Sequence, residues 1–94
     1  MITAEEAREL SVPDEEKAEG YLKGIEIAIH AAVKNGKREV IMREKPFADW
    51  AYAPNKINGV GLIVYAKLEE LGFETSTYYK EHSIAVDVGM RIKW

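Results

Sequence analysis

Residues 84–94 alternate without a break: Ile84, Val86, Val88, Met90, Ile92 and Trp94 are large and apolar, while Ala85, Asp87, Gly89, Arg91 and Lys93 are small or charged. A period of two is that of an extended strand with one face against a core and one face against water. A slip of one residue would turn the whole apolar set outward, so the register is strongly specified. The reading is a terminal strand beginning near Ser83 and packed down to Trp94.

Upstream the period changes to that of helices. Thr3 followed by Glu6 has capping-box spacing and predicts a short helix over residues 4–10. Ser11 is positioned to cap a second helix, Pro13 fits its first turn, and Asp14, Glu15 and Glu16 suit the positive end of its dipole. Ala18, Leu22, Ile25, Ile29 and Ala32 form its apolar stripe, and Gly36 ends it after Asn35. Residues 38–44 read as a strand, β-branched at Val40 and Ile41. A third helix, from about residue 56 or 57 to residue 71, carries Ile57, Val60, Val64, Leu68 and Leu71 on one side and stops at Gly72. Residues 73–79 are the second strand, and residues 80–82 turn the chain.

The order ααβαββ predicts a single α+β domain over residues 1–94. Its architecture is two helices, a strand, a helix and a β-hairpin. A right-handed crossover through the third helix makes the first two strands parallel, with the last antiparallel between or beside them, hence a three-stranded mixed sheet with the helices on one face. Asp87, Gly89, Arg91 and Lys93 fall on the open face. Of Tyr78 and Tyr79, which point to opposite faces, one is expected in the core and the other as an exposed contact.

Two helices carry more apolar surface than one stripe needs. Gly20, Gly24, Ile27 and Ala31 gather on the far side of the second helix, within about 60° at 100° per residue. An internal glycine costs a helix about 1 kcal/mol against alanine, so two of them one turn apart call for a packing reason. Leu62, Ile63 and Ala66 lie off the stripe of the third helix. Back-to-back packing of copies, through Gly20, Gly24, Ile27, Ala31, Leu62 and Ile63, accounts for this surplus. The alternative is that the first helix and the segment 45–58 cover these surfaces within one chain.

Composition narrows the classes. With 47% hydrophobic and 31% charged residues in 94, the chain is neither disordered nor membranous. Its longest apolar run, residues 60–66, is far short of the roughly 20 residues of a bilayer span. Acidic residues Glu5, Glu6 and Glu9 stand where a secretory signal needs basic and then apolar ones, so a cytoplasmic location is expected. There is no cysteine, which removes disulfides, thiolate metal sites and thiol nucleophiles. The net charge of −3 is uneven: residues 34–56 hold six bases against three acids. That local excess is too small for duplex nucleic acid but compatible with a small anion.

Candidate chemistry centres on residues 45–58, too aromatic for an idle linker and too interrupted for a long element. Arg43, Lys45, Asn55, Lys56 and Asn58 supply cations and amides, and Phe47, Trp50 and Tyr52 supply flat rings. The segment leads into Gly59-Val60-Gly61 near a helix start, where free N–H groups attract anions. Cations, rings and a helix N-terminus together suit a nucleotide-like molecule. The competing reading has Phe47 and Trp50 plugging the sheet edge and the glycines easing helix packing. The Gly59-Val60-Gly61 run lacks the remaining elements of a P-loop or dinucleotide fingerprint. His30 reads as the partner of Glu26 on a wet helix side, and His82 as a turn residue. No catalytic constellation, metal-ligand spacing or cofactor motif is present.

The opening Ile2-Thr3-Ala4-Glu5-Glu6-Ala7-Arg8-Glu9-Leu10, the stretch Ala31-Ala32-Val33-Lys34-Asn35-Gly36-Lys37, the junction Leu68-Glu69-Glu70-Leu71-Gly72-Phe73 and the close Ile92-Lys93-Trp94 resemble small phage or prophage-encoded α/β proteins of unassigned function. The resemblance covers most of the chain in order except residues 45–58. It carries no functional residues with it. The resemblance implies binding over turnover in the host cytoplasm. Taken with the surplus apolar helix surface and residues 45–58, the expectation is a non-enzymatic phage-type binding protein that acts as a homo-oligomer and inhibits a host factor or sequesters a small nucleotide-like anion. A virion structural or assembly component is the first alternative, and a small hydrolase the second.

Overall fold

The structure, a computed structural model, describes residues 1–94 apart from Asn55, Lys56, Asn58 and the side chain of Glu9. Helix α1 (Ala4–Leu10) opens on the expected cap, the Glu6 N–H donating to Thr3 Oγ1 at 3.1 Å. Its described residues are all exposed, so α1 does not shelter the outer faces of the later helices. Ser11 does not cap the next helix. Its hydroxyl donates back to the Ala7 carbonyl at 2.5 Å, and Pro13, with no side-chain donor or acceptor, precedes α2 (Asp14–Lys34).

The stripe of α2 is buried as expected, with Ala18, Ile25 and Ala32 in the core and Leu22 and Ile29 packed against it. Both long helices end on the same device. Gly36 (φ 74°) and Gly72 (φ 90°) take left-handed backbone, and the next residues, Lys37 and Phe73, donate back to Ala32 and Leu68. Among the described residues, nothing packs on the opposite side of α2 at Gly20 or Gly24. A Cβ built at Gly20 or Gly24 has no heavy atom within 4 Å, and Ile27 is 72% exposed. Gly20→Ala and Gly24→Ala are therefore each expected to stabilise the isolated subunit, by about 0.5–1 kcal/mol, read as a rise in urea midpoint in dilute solution.

Strand β1 (Glu39–Met42) is followed by a short helix, α3 (Phe47–Tyr52), inside the segment read as interrupted. Phe47 and Trp50 share one side of this helix at a spacing of three and point into the core, each 5% exposed. Helix α4 (Gly59–Glu70) buries Val60, Val64 and Leu68. Leu71 lies beyond its end and is exposed. Of the off-stripe residues Leu62 is 59% exposed, whereas Ile63 is partly buried against the chain's own core.

Strands β2 (Glu74–Glu81) and β3 (Val86–Lys93) form the hairpin, and the three-stranded sheet has the order β1-β3-β2. Because β3 lies in the middle and runs against both neighbours, every ladder is antiparallel. The first two strands do share a direction, but they never touch, so the sheet is antiparallel and not mixed. Helices α2, α3 and α4 cover one face. The architecture is α+β with the expected chain order.

The hairpin turns later than expected. Glu81 pairs with Val86, the loop 82–85 closes with the His82 N–H on the Ala85 carbonyl at 2.7 Å, and Ile84 falls in that loop, 96% exposed. Apolar alternation is realised at Met90 and Ile92, both fully buried, and is lost toward the tip, where Val86 is exposed. Helical cover stops short of the hairpin's end.

Candidate functional site

Pleating divides the sheet cleanly. Val40 and Met42 of β1, Met90 and Ile92 of β3, and Thr75 and Thr77 of β2 lie in shared rows on the helix side. Among the described residues no helix covers the other side, which carries Glu39 and Ile41, then Asp87, Gly89, Arg91 and Lys93, then Glu74, Ser76, Tyr78 and Lys80. Arg43, the residue after β1, reaches Asp87 on this side.

Gly89 is the centre of this open face. It pairs with Tyr78, and a Cβ there would stand 2.7 Å from Ile41 Cγ2 and 2.8 Å from the Met42 carbonyl oxygen. The missing side chain lets Ile41 and the Met42 backbone of β1 come close to the strand. Two guanidiniums flank the ring of Tyr78, Arg43 Cζ at 5.4 Å and Arg91 Cζ at 5.3 Å from its centroid. Both distances lie within the roughly 6 Å reach of cation–π attraction.

Each cation has its own carboxylate. Arg43 Nε donates to Asp87 Oδ1 at 3.0 Å, and this bond raises the guanidinium above its already high ordinary pKa, with the charge of Asp87 and then Tyr78 acting the same way. Arg91 Nε lies 3.1 Å from Glu39 Oε2. That contact is ionic without hydrogen-bond alignment, and the buried Nε has no aligned acceptor among the described residues. The result is a flat patch of tyrosine, isoleucine and arginine with locally balanced charge, rimmed by Lys80, Lys93 and Glu74.

The residues expected to form one ligand site are not brought together. Phe47 and Trp50 build a triangle of edge-to-face rings with Tyr21, centroids 5.6–5.7 Å apart, on the covered side of the sheet. Arg43 is on the open side. Tyr52 is 68% exposed and stacks on Tyr79 at 6.5 Å. The hydroxyl of Tyr79 donates to Glu81, and that bond raises its phenol pKa. Neither member of the tyrosine pair is core: Tyr78 is half-buried on the open face, and Tyr79 is exposed on the helix side. Lys45 is exposed beside Pro46. Asn55, Lys56 and Asn58 lie outside the described residues.

The start of α4 is shaped by packing. A Cβ at Gly61 would meet Ile57 and the indole of Trp50, and one at Gly59 would meet the Asp14 carboxylate at 2.6 Å. An acidic group therefore stands beside the helix N-terminus that was expected to attract an anion. His30 sits 3.7 Å from Glu26 on an exposed stretch of α2, and His82 is in the hairpin loop. Tyr65 of α4 is partly buried, and loss of water raises its phenol pKa. Among the described residues no three His, Asp or Glu side chains gather closely enough to hold a metal ion, and no helix is long and apolar enough to cross a membrane.

Comparison with protein-family models, with curated proteins and with solved structures finds no match to this chain. The functional reading therefore rests on geometry. Asp87, Gly89, Arg91 and Lys93 were legible as an open face, but Tyr78 was not placed among them. Its position opposite Gly89 depends on the hairpin register, which the length of the loop sets.

Proposed function

We propose that this chain is a non-enzymatic, phage-type binding protein that acts as a homo-oligomer in the host cytoplasm and inhibits a host factor by docking it on the open sheet face. The observation that carries the reading is the Arg43–Tyr78–Arg91 cluster, whose tyrosine pairs with Gly89. Tyrosine and arginine are the residue types that most often dominate protein interfaces, particularly when central and ringed by polar groups. A macromolecular partner suits this surface better than a nucleotide-like anion, because both guanidiniums already face carboxylates and Phe47 and Trp50 offer no open ring face. The homo-oligomer is supported by Ile27 and Leu62, large apolar side chains that the subunit leaves 72% and 59% exposed.

A photo-crosslinking residue at Ser76, which lies on the open face diagonal to Gly89, tests the partner site in extracts of a susceptible host. We expect a discrete adduct that excess wild-type chain displaces, and that Tyr78→Ala/Arg91→Ala displaces at least about tenfold less well. Equal competition by the double variant, or the absence of any saturable adduct, would discredit the open face as the working surface.

A further inference from the structure

The free edge of β1, taken with the residues that flank it, has a self-complementary sequence: Arg38-Glu39-Val40-Ile41-Met42-Arg43-Glu44. We propose that two copies of the chain pair antiparallel along this edge, about a two-fold axis at Ile41, to form one continuous sheet. In that register Ile41 faces its own copy, Val40 faces Met42, Glu39 faces Arg43 and Arg38 faces Glu44, so each charge meets its opposite twice by symmetry. The proposal rests on the reading that the chain works as a homo-oligomer, and names the surface by which it does so.

Backbone bonding selects the same register. The Trp94 N–H donates to the Arg38 carbonyl at 3.1 Å, and in an antiparallel ladder bonded pairs alternate with non-bonded ones. Arg38, Val40 and Met42 therefore spend their backbone groups on β3. Glu39 and Ile41 turn theirs to the free edge, and the strand ends at Met42. A two-fold at Ile41 sets the outward groups of Ile41 opposite their own copy, with the side chain of Glu39 toward that of Arg43 just past the strand. The pattern of charges and the pattern of donors and acceptors were free to disagree, and they do not.

Room for the second strand is already present. A groove of about 720 Å³ runs beside β1 and is floored on the helix side by Ala28, Ala31 and Ala32 of α2 and by Asn35 just past its end. The alanines are small, and Gly24 continues the same side of the helix. Pairing at β1 brings the α2 helices of the two copies side by side across the axis, where short side chains permit close approach. This gives Gly24 and Ala31 the packing reason that one subunit does not supply. The other sheet edge is less suited, because pairing the whole of β2 with its copy sets Glu74 against Glu81.

The test uses charge reversal on the full chain, read by native mass spectrometry over a dilution series. Wild type is expected to dimerise, while Glu39→Arg and Arg43→Glu each weaken self-association by about tenfold or more, since each creates two like-charged pairs. Mixing the two variants should restore pairing as a heterodimer, and Glu39→Arg/Arg43→Glu on one chain should restore the homodimer. Loss of the internal contacts to Arg91 and Asp87 is identical before and after mixing, so recovery isolates the contact between copies. If thermal melts show either variant unfolded, Arg38→Glu and Glu44→Arg pose the same question one pair further out. A wild-type dimer that is indifferent to these changes, or variants that mix without pairing, would overturn the β1 register and leave the homo-oligomer reading standing. A wild type that stays monomeric throughout would remove both.

Discussion

Trp50→Ala is expected to cost about 3–5 kcal/mol of folding stability, the range for truncating a buried aromatic side chain. A domain of this size is worth about 5–15 kcal/mol in total, so the variant should lose much of its margin and melt far below wild type. The indole is 5% exposed, meets the rings of Tyr21 and Phe47 edge-on at 5.6 Å, and lies against Gly61, which has no side chain with which to fill the space left behind. Tyr52→Ala is the control: its ring is two-thirds exposed, so about 1 kcal/mol or less should be lost. Urea denaturation followed by far-ultraviolet circular dichroism distinguishes the two. A Trp50→Ala variant as stable as wild type would mean that the ring is not structural and would reopen residues 45–58 as a binding surface.

The second large effect is expected at Gly89. Addition of one methyl group there should destabilise the fold by about 1–3 kcal/mol, the usual range for overpacking, and Gly89→Val should cost more. Two neighbours are in the way, at 2.7 Å and 2.8 Å, and they differ in kind: Ile41 Cγ2 is a side chain that can rotate, whereas the Met42 oxygen is backbone held in the sheet. Ile41→Ala in the Gly89→Ala background should therefore restore only part of the loss. Complete rescue would assign the whole conflict to Ile41, and an undiminished Gly89→Ala melting temperature would mean that β1 and β3 are farther apart than described. Because Tyr78 is the cross-strand partner of this position, the same variant should weaken any partner held by the open face.

How much of this was legible in the sequence depends on the range of the signal. Periodicity is local, and it placed Ala18, Ile25 and Ala32, Val60, Val64 and Leu68, and Met90 and Ile92 correctly. It cannot say how far a neighbouring layer extends, which is why Ile84 and Val86 carry the apolar pattern of a buried strand and yet stand beyond the helices. Pro46 and Pro54 argued for an interrupted segment, but the spacing of Phe47 and Trp50 fits one side of a single helical turn, and burial of two rings outweighs poor local propensity. The sheet's pairing was half readable. Strand directions followed from the crossover rule, while the insertion of β3 between the other two, which makes every ladder antiparallel, rests on contacts between residues distant in sequence.

The candidate site follows the same division. Asp87, Gly89 and Arg91 announced a wet face through alternation alone, whereas the convergence of Arg43 and Tyr78 on Gly89 requires both neighbouring registers to be known. Arg43 was singled out for its charge and placed with rings that lie across the sheet from it. Side-chain direction, which reverses at each residue along a strand, decided the matter.

The hairpin tip gives the sheet two mechanical regimes. Where Thr75 pairs with Ile92, separating the strands would tear open the core. Where Glu81 pairs with Val86, it would disturb little beyond the ladder itself, so the far end can breathe while the near end stays shut. Asp87 stands beside the exposed end, tied to Arg43, and Arg91 beside the buried one, so a body lying across the open face would rest on both.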